Sequence, residues 1–189
     1  MRALLCAVLV GLVTTAACDD PFALGPATRD NVVDTLELFA VNGTPLDKPS
    51  ALLLATKSRY RLGLDLIPFD FDFLYRLDAS GKGELVPFAA IAASSNRAGR
   101  SGFQTTASSF GQITIAEQTG YTVDEPAPLE LGTVLYLRSN LPNGCFLGIP
   151  YYAKMEVIGF DPVARSVSLQ VLINNNCGFR GLEPGLPAK

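Results

Sequence analysis

Between Phe69 and Asp78 the chain reads FDFDFLYRLD, with Phe69, Phe71, Phe73, Tyr75 and Leu77 at every second position. A strand turns successive side chains to opposite faces, so five apolar residues at period two define one buried face. Asp70, Asp72, Leu74, Arg76 and Asp78 are then expected on a largely solvated face. Ser80-Gly81-Lys82-Gly83 supplies a turn, and Glu84–Ile91 returns as the partner strand. Pro87 cannot donate to a ladder and places that partner at an edge or a bulge.

Similar signals recur along the chain. Val32–Val41 is a strand candidate closed by Asn42-Gly43, while Pro45–Thr56 suits a short helix or a strand. Arg59–Leu66 alternates, with Tyr60, Leu62, Leu64 and Leu66 on one face, and a bulge or bend at Ile67-Pro68 flips the parity. Gln112–Ala116 reads as a short strand, and Leu129–Ser139 as a strand pair bent at Gly132 or one kinked strand. Ala153–Phe160, the turn Asp161–Ser166 and Val167–Asn174 form a closing hairpin, after which GLEPGLPAK trails off. Ala92–Gly111, rich in Ser, Gly, Ala and Thr, is expected to be a mobile surface loop. With 13 prolines and 17 glycines among many Val, Leu, Ile, Phe and Thr, the pattern predicts an all-β fold. The expectation is an antiparallel β-sandwich or partly closed barrel with little helix.

The amino terminus carries a different signal. Arg2 precedes an apolar run, Ala3–Val13, too short to span a bilayer as a helix of about 20 residues. Small residues then lead to a cysteine: Val13-Thr14-Thr15-Ala16-Ala17-Cys18. This stretch resembles the lipobox of bacterial lipoprotein precursors. The resemblance implies cleavage before Cys18, a diacylglyceryl group on its sulfur and, usually, acylation of the new amine. Thr15 departs from the usual aliphatic residue there, and an ordinary signal peptide cut after Ala17 is the alternative. Several acyl chains on one residue hold firmly, at about 0.8 kcal/mol per buried CH₂. The implied organisation is a signal peptide over 1–17, a lipidated cysteine and tether over 18–30, and a single β domain over 31–189. In enteric-type lipoproteins an Asp after the cysteine, here Asp19, tends to retain the protein in the inner membrane. The tail, with NCGFR and Pro-Gly-Leu-Pro, is similar to the ends of other exported lipoproteins of unknown role.

Cys6 leaves with the signal and Cys18 carries lipid, so Cys145 and Cys177 remain. In an oxidising export compartment two such thiols are expected to pair. A two-thiol metal or redox site lacks CxxC spacing and any histidine to assist it.

The chain contains no histidine. That removes the usual general base, the Ser-His-Asp and Cys-His arrangements and most catalytic zinc sites. No GxSxG, Walker or dinucleotide motif is present. Carboxylate chemistry is what remains: Asp70 and Asp72, about 7 Å apart on one strand face, could act as a glycosidase-like pair or simply face solvent. Asp78–Glu84 has the outline of a calcium loop but too few acids, and a hairpin turn explains it as well. Tyr121, Tyr136 and Tyr151 could line a sugar-binding groove. Once Arg2 is removed, 14 basic residues face 18 acidic ones, unlike a nucleic-acid footprint. The expectation is a non-catalytic, cofactor-free envelope lipoprotein, held to a membrane, with a structural role or one in binding an envelope protein, glycan or small ligand.

Overall fold

The computed structural model describes residues 25–65, 71–91, 100–140, 144–145 and 148–187. The signal segment, Cys18, Asp19, Ile67-Pro68, Phe69 and Asp70 lie outside the described residues.

Ten strands occur among the described residues: β1 (Val33–Phe39), β2 (Ala51–Leu53), β3 (Ser58–Tyr60), β4 (Phe73–Leu77), β5 (Gly83–Pro87), β6 (Gly102–Thr105), β7 (Ala127–Pro128), β8 (Val134–Arg138), β9 (Tyr152–Asp161) and β10 (Ser166–Asn174). They form two antiparallel five-stranded sheets, ordered β1-β10-β9-β8-β6 and β3-β2-β4-β5-β7. The sheets do not close into a barrel; the architecture is a β-sandwich.

Period-two patterning explains the core. Leu135 and Leu137 of β8, Ala153, Met155 and Val157 of β9, and Val167, Leu169, Val171 and Ile173 of β10 face inward. Phe73 and Tyr75 of β4, with Leu52 and Leu85, meet them from the other sheet. The β9–β10 hairpin turns as its Asp-Pro start predicts: Asp161 Oδ1 accepts from the amides of Val163 (2.8 Å) and Ala164 (2.8 Å). The register shifts between Ser168 and Leu169, leaving Ile158 as the extra residue of a bulge.

Several expectations are corrected. Asp72 is fully buried (0% exposed) and Leu74 is buried too, so the even face of this stretch is not largely wet. Leu74 packs with Ala51, Phe71 and Val86 in a cluster on the outer side of the second sheet, covered by Tyr60, Leu62, Phe88 and Ala90. The alternating stretch at 59–66 yields a strand only over Ser58–Tyr60; Asp65 then accepts the Arg61 amide (2.6 Å) and pairs with its guanidinium in a turn. Leu64 is consequently exposed. The return strand of the first hairpin stops at Pro87, and Phe88–Ile91 makes a single helical turn, α1. Leu129–Ser139 is neither a strand pair nor one kinked strand: it holds only β8, and Gly132 (φ 80°) lies in the turn that crosses to it from β7 in the other sheet.

The segment expected to be a mobile loop contains β6, an edge strand of the first sheet. Arg100, Ser101, Gly102 and Phe103 are all buried. Gly102 is required there, because a Cβ would stand 2.8 Å from the Thr122 carbonyl and 2.9 Å from Val123 Cγ1. Phe103 and Thr122 exchange backbone hydrogen bonds (3.0 and 2.8 Å), which covers part of an edge otherwise open to pairing.

The tail does not trail off either. The Asn31 amide donates to the Gly185 carbonyl (2.8 Å), and the Gly185 amide donates back to Asn31 (3.0 Å). Leu182 is fully buried with Phe110, Ile113 and Ala116 against Val134, Tyr152 and Leu172. Val134 of β8, Tyr152 of β9 and Leu172 of β10 are therefore buried on the outer face of their sheet as well.

Candidate functional site

At one end of the sandwich the expected disulfide is present. Cys145 and Cys177 are bonded, with Cα atoms 5.6 Å apart, joining the β8–β9 connection to the segment after β10. Three consecutive asparagines precede Cys177, and each has a separate task. Asn174 Nδ2 donates to the carbonyls of Gly181 (2.8 Å) and Phe179 (3.3 Å), holding the tail. Asn175 Nδ2 donates to Leu54 and Ala55 (both 3.0 Å), fastening the other sheet. Asn176 Oδ1 accepts from the amides of Thr28 (2.9 Å) and Arg29 (3.0 Å), and its Nδ2 donates to the Arg29 carbonyl (2.8 Å). The fold thus takes hold of the chain at Thr28, two residues before the expected end of the tether. Asn176→Asp would remove the donor arm of this clamp. We expect a loss of about 1–2 kcal/mol and faster proteolytic cutting near residue 28, read by chemical denaturation and limited proteolysis.

Asp72 lies at the same end. Its Oδ2 accepts the Leu54 amide (2.7 Å) from one sheet, and its Oδ1 accepts the Asn140 amide (2.7 Å) from the segment following β8. Both carboxylate oxygens therefore serve the junction between the sheets. The catalytic alternative needs both carboxylates available to a substrate. Asp72 is fully buried with each oxygen on a backbone amide, and Asp70 lies outside the described residues.

The tyrosines of the sugar-binding alternative divide differently. Tyr121 and Tyr136 pack against the cluster on the outer face of the first sheet. Arg138 stacks on the Tyr121 ring at 4.9 Å, and the Tyr121 hydroxyl donates to the Glu117 carbonyl (2.9 Å). Burial pushes the Tyr121 hydroxyl well above its ordinary pKa, so it remains a neutral donor. Lys154, buried beneath the same layer, donates to the carbonyls of Phe110 (2.9 Å) and Ile113 (2.7 Å) and lies 4.5 Å from the Phe110 ring centre. Burial lowers its pKa, opposed by the charge of Glu183. Its contacts make it a strut for the Phe110–Gln112 turn.

The calcium-like loop is a turn. Asp78 Oδ1 accepts from the Ser80 amide and hydroxyl and from the Lys82 amide, each at 2.8 Å. The Ser80 hydroxyl and these amides hold the Asp78 carboxyl below its usual range. Among the described residues no group of three or more His, Cys, Asp or Glu side chains could hold a metal ion.

That turn borders a cavity the sequence did not reveal. About 410 Å³ in volume, it lies at the other end of the sandwich, between the Asp78–Gly83 turn, the Leu129-Glu130 turn and the tip of the β9–β10 hairpin. Tyr75, Leu77, Leu129, Phe160 and Pro162 give it apolar walls, while Lys82, Glu130, Asp161 and Arg165 stand around them. Gly83 sets the depth of its aromatic wall: a Cβ there would stand 3.0 Å from Tyr75 Oη and 3.1 Å from Phe160 Cε1. Asn42 imitates a strand residue beside the lining residue Leu77, its amide group exchanging hydrogen bonds with the Leu77 backbone (2.9 and 3.0 Å). Arg165, at φ 54°, donates from Nε (3.2 Å) and Nη2 (3.0 Å) to the Asn42 carbonyl. A pocket of this size with few convergent polar groups is the form that small-molecule sites take.

No family model, curated protein or solved structure matches the chain.

Proposed function

We propose that this chain is a lipid-anchored protein of the cell envelope, without catalytic activity, whose β-sandwich binds a ligand or partner at the end away from the membrane. The observation that carries the reading is the polarity of the sandwich. Thr28 and Arg29 are gripped beside Asn176, at the carboxyl end of β10, whereas the cavity lies at the amino end of that strand, by Ser166. Eight residue steps separate Ser166 from Asn174, roughly 26 Å at the rise of an extended strand.

The lipobox-like stretch before Cys18 supplies the anchor in this reading, and the Cys145–Cys177 disulfide suits an oxidising exported location. Between Cys18 and the grip at Thr28 lie few residues, so the tether reaches no more than about 35 Å even when extended. The cavity would face the aqueous compartment. Among the described residues no helix is long and apolar enough to cross a membrane.

Membrane fractionation of a Cys18→Ser variant tests the anchor. Accumulation of uncut precursor, or release of the processed protein from the membrane fraction, is the expected result. A Cys18→Ser protein that is still processed and partitions unchanged into detergent would sink this reading.

A further inference from the structure

We infer that the cavity between the Asp78–Gly83 turn and the β9–β10 hairpin takes a compact apolar group bearing a single carboxylate. The inference deepens the binding role proposed above and rests on it.

Depth separates the polar groups of the cavity. Tyr75 is 1% exposed, yet none of the described residues offers its hydroxyl a hydrogen bond. The hydroxyl is not among the enclosed unpaired atoms of the fold: it opens onto the cavity, where it is placed to bond a ligand atom. Arg165, half-buried, comes next. Its Nε and Nη2 are fixed on the Asn42 carbonyl, Nη1 is left over, and no carboxylate among the described residues pairs with it. Burial raises the Tyr75 pKa and Arg165 opposes it, so near neutral pH the hydroxyl is a neutral donor close to a fixed cation.

The opposing charges lie further out. Glu130 and Asp161 are exposed, and Asp161 Oδ1 is already occupied by two turn amides. Lys82, also exposed, adds a second cation with no ion pair among the described residues. Tyr75 and Arg165 can both donate into the cavity, Ser166 already gives its hydroxyl hydrogen to Glu37 Oε1 (2.6 Å), and the lining carboxylates stand at the rim. An acceptor with negative charge complements the inside, and hydrogen bonds to charged acceptors are the strong ones. The rings of Tyr75 and Phe160 beside Leu77, Leu129 and Pro162 suit a flat or branched apolar body. At the roughly 30 Å³ a water occupies in the liquid, the volume admits about a dozen non-hydrogen atoms.

Three probes of matched shape and different charge test this: 4-phenylbutyrate, 4-phenyl-1-butanol and 4-phenylbutylamine. Each is titrated by ligand-observed NMR against the full-length chain in phosphatidylcholine vesicles, with empty vesicles subtracted. The carboxylate should bind about tenfold more tightly than the alcohol, and the amine more weakly still. Tyr75→Phe should weaken the carboxylate about tenfold, and Phe160→Ala should weaken all three probes. If Tyr75→Phe does not fold, the exposed Lys82→Gln variant replaces it, with an expected loss of about threefold for the carboxylate alone. Equal binding of acid and alcohol, preference for the amine, or no binding of the carboxylate would overturn the inference. If such a failure accompanied membrane attachment that still depended on Cys18, the ligand class would fall and the anchored reading would stand.

Discussion

Asp72→Asn should destabilise the protein by about 2–4 kcal/mol, measured as a shift in the midpoint of urea unfolding at unchanged slope. An asparagine can keep one of the two acceptor positions. Its NH₂ group must then face either the Leu54 amide or the Asn140 amide, donor against donor. A buried donor left unmatched costs its full desolvation penalty, which exceeds the net gain from one ordinary hydrogen bond. The two amides belong to opposite layers of the sandwich, so the loss falls on the junction between sheets and not on one loop. Asp72→Ala should be worse, since both amides lose their partner. Asp47→Asn is the control: Asp47 is exposed, and its substitution should stay within about 0.5 kcal/mol of the parent. Equal small effects at both positions would show that Asp72 does not join the sheets.

The same residue shows where pattern reading reaches its limit. Period two located β4 and correctly faced Phe73 and Tyr75 into the core, because alternation is a property of the strand itself. It could not show that the opposite face would also be covered. Leu74 and Asp72 are buried by segments distant in sequence, and a buried carboxylate between two amides looks, in sequence, like one in water. β6 was hidden for a related reason. Ser101 and Gly102 resemble loop residues because they are small, yet it is the missing side chain of Gly102 that lets the backbone of Thr122 approach. The terminal hairpin was legible because Asp161-Pro162 and the Val167–Ile173 alternation act locally. The tail was not, since the carbonyls it offers are bound by Asn31 and Asn174 through side-chain amides that no periodicity announces.

The candidate site divides the same way. Cys145 and Cys177 could be paired by elimination once Cys6 and Cys18 were assigned. The cavity could not be anticipated, because three separate turns build it and each reads only as a turn. The nearest sequence signal is the glycine at position 83. It follows a Ser-Gly-Lys turn that was already complete, and its lack of a side chain is explained only by the rings of Tyr75 and Phe160 above it.

Replacing both Cys145 and Cys177 with serine should cost about 3–4 kcal/mol, the chain-entropy value for a loop of this length. The bridge spans 32 positions of sequence. That interval contains β9 and β10, so the open chain regains the freedom of the longest hairpin in the fold. The native state loses something as well. Cys177 directly follows the three asparagines that hold the tail, the second sheet and the Thr28-Arg29 segment, and the bond to Cys145 fixes the backbone from which they project. Protection of the Thr28 and Arg29 amides against hydrogen exchange should therefore fall in the double variant, by more than protection at the Asp161–Ser166 turn at the far end. Mass mapping of the purified protein without reductant gives the parallel check. It should return one cross-linked peptide containing both cysteines, and two alkylatable thiols in the folded protein would rule the bridge out. A stability loss below about 1 kcal/mol with intact protection at Thr28 would show that the asparagines hold the amino terminus without help from the disulfide.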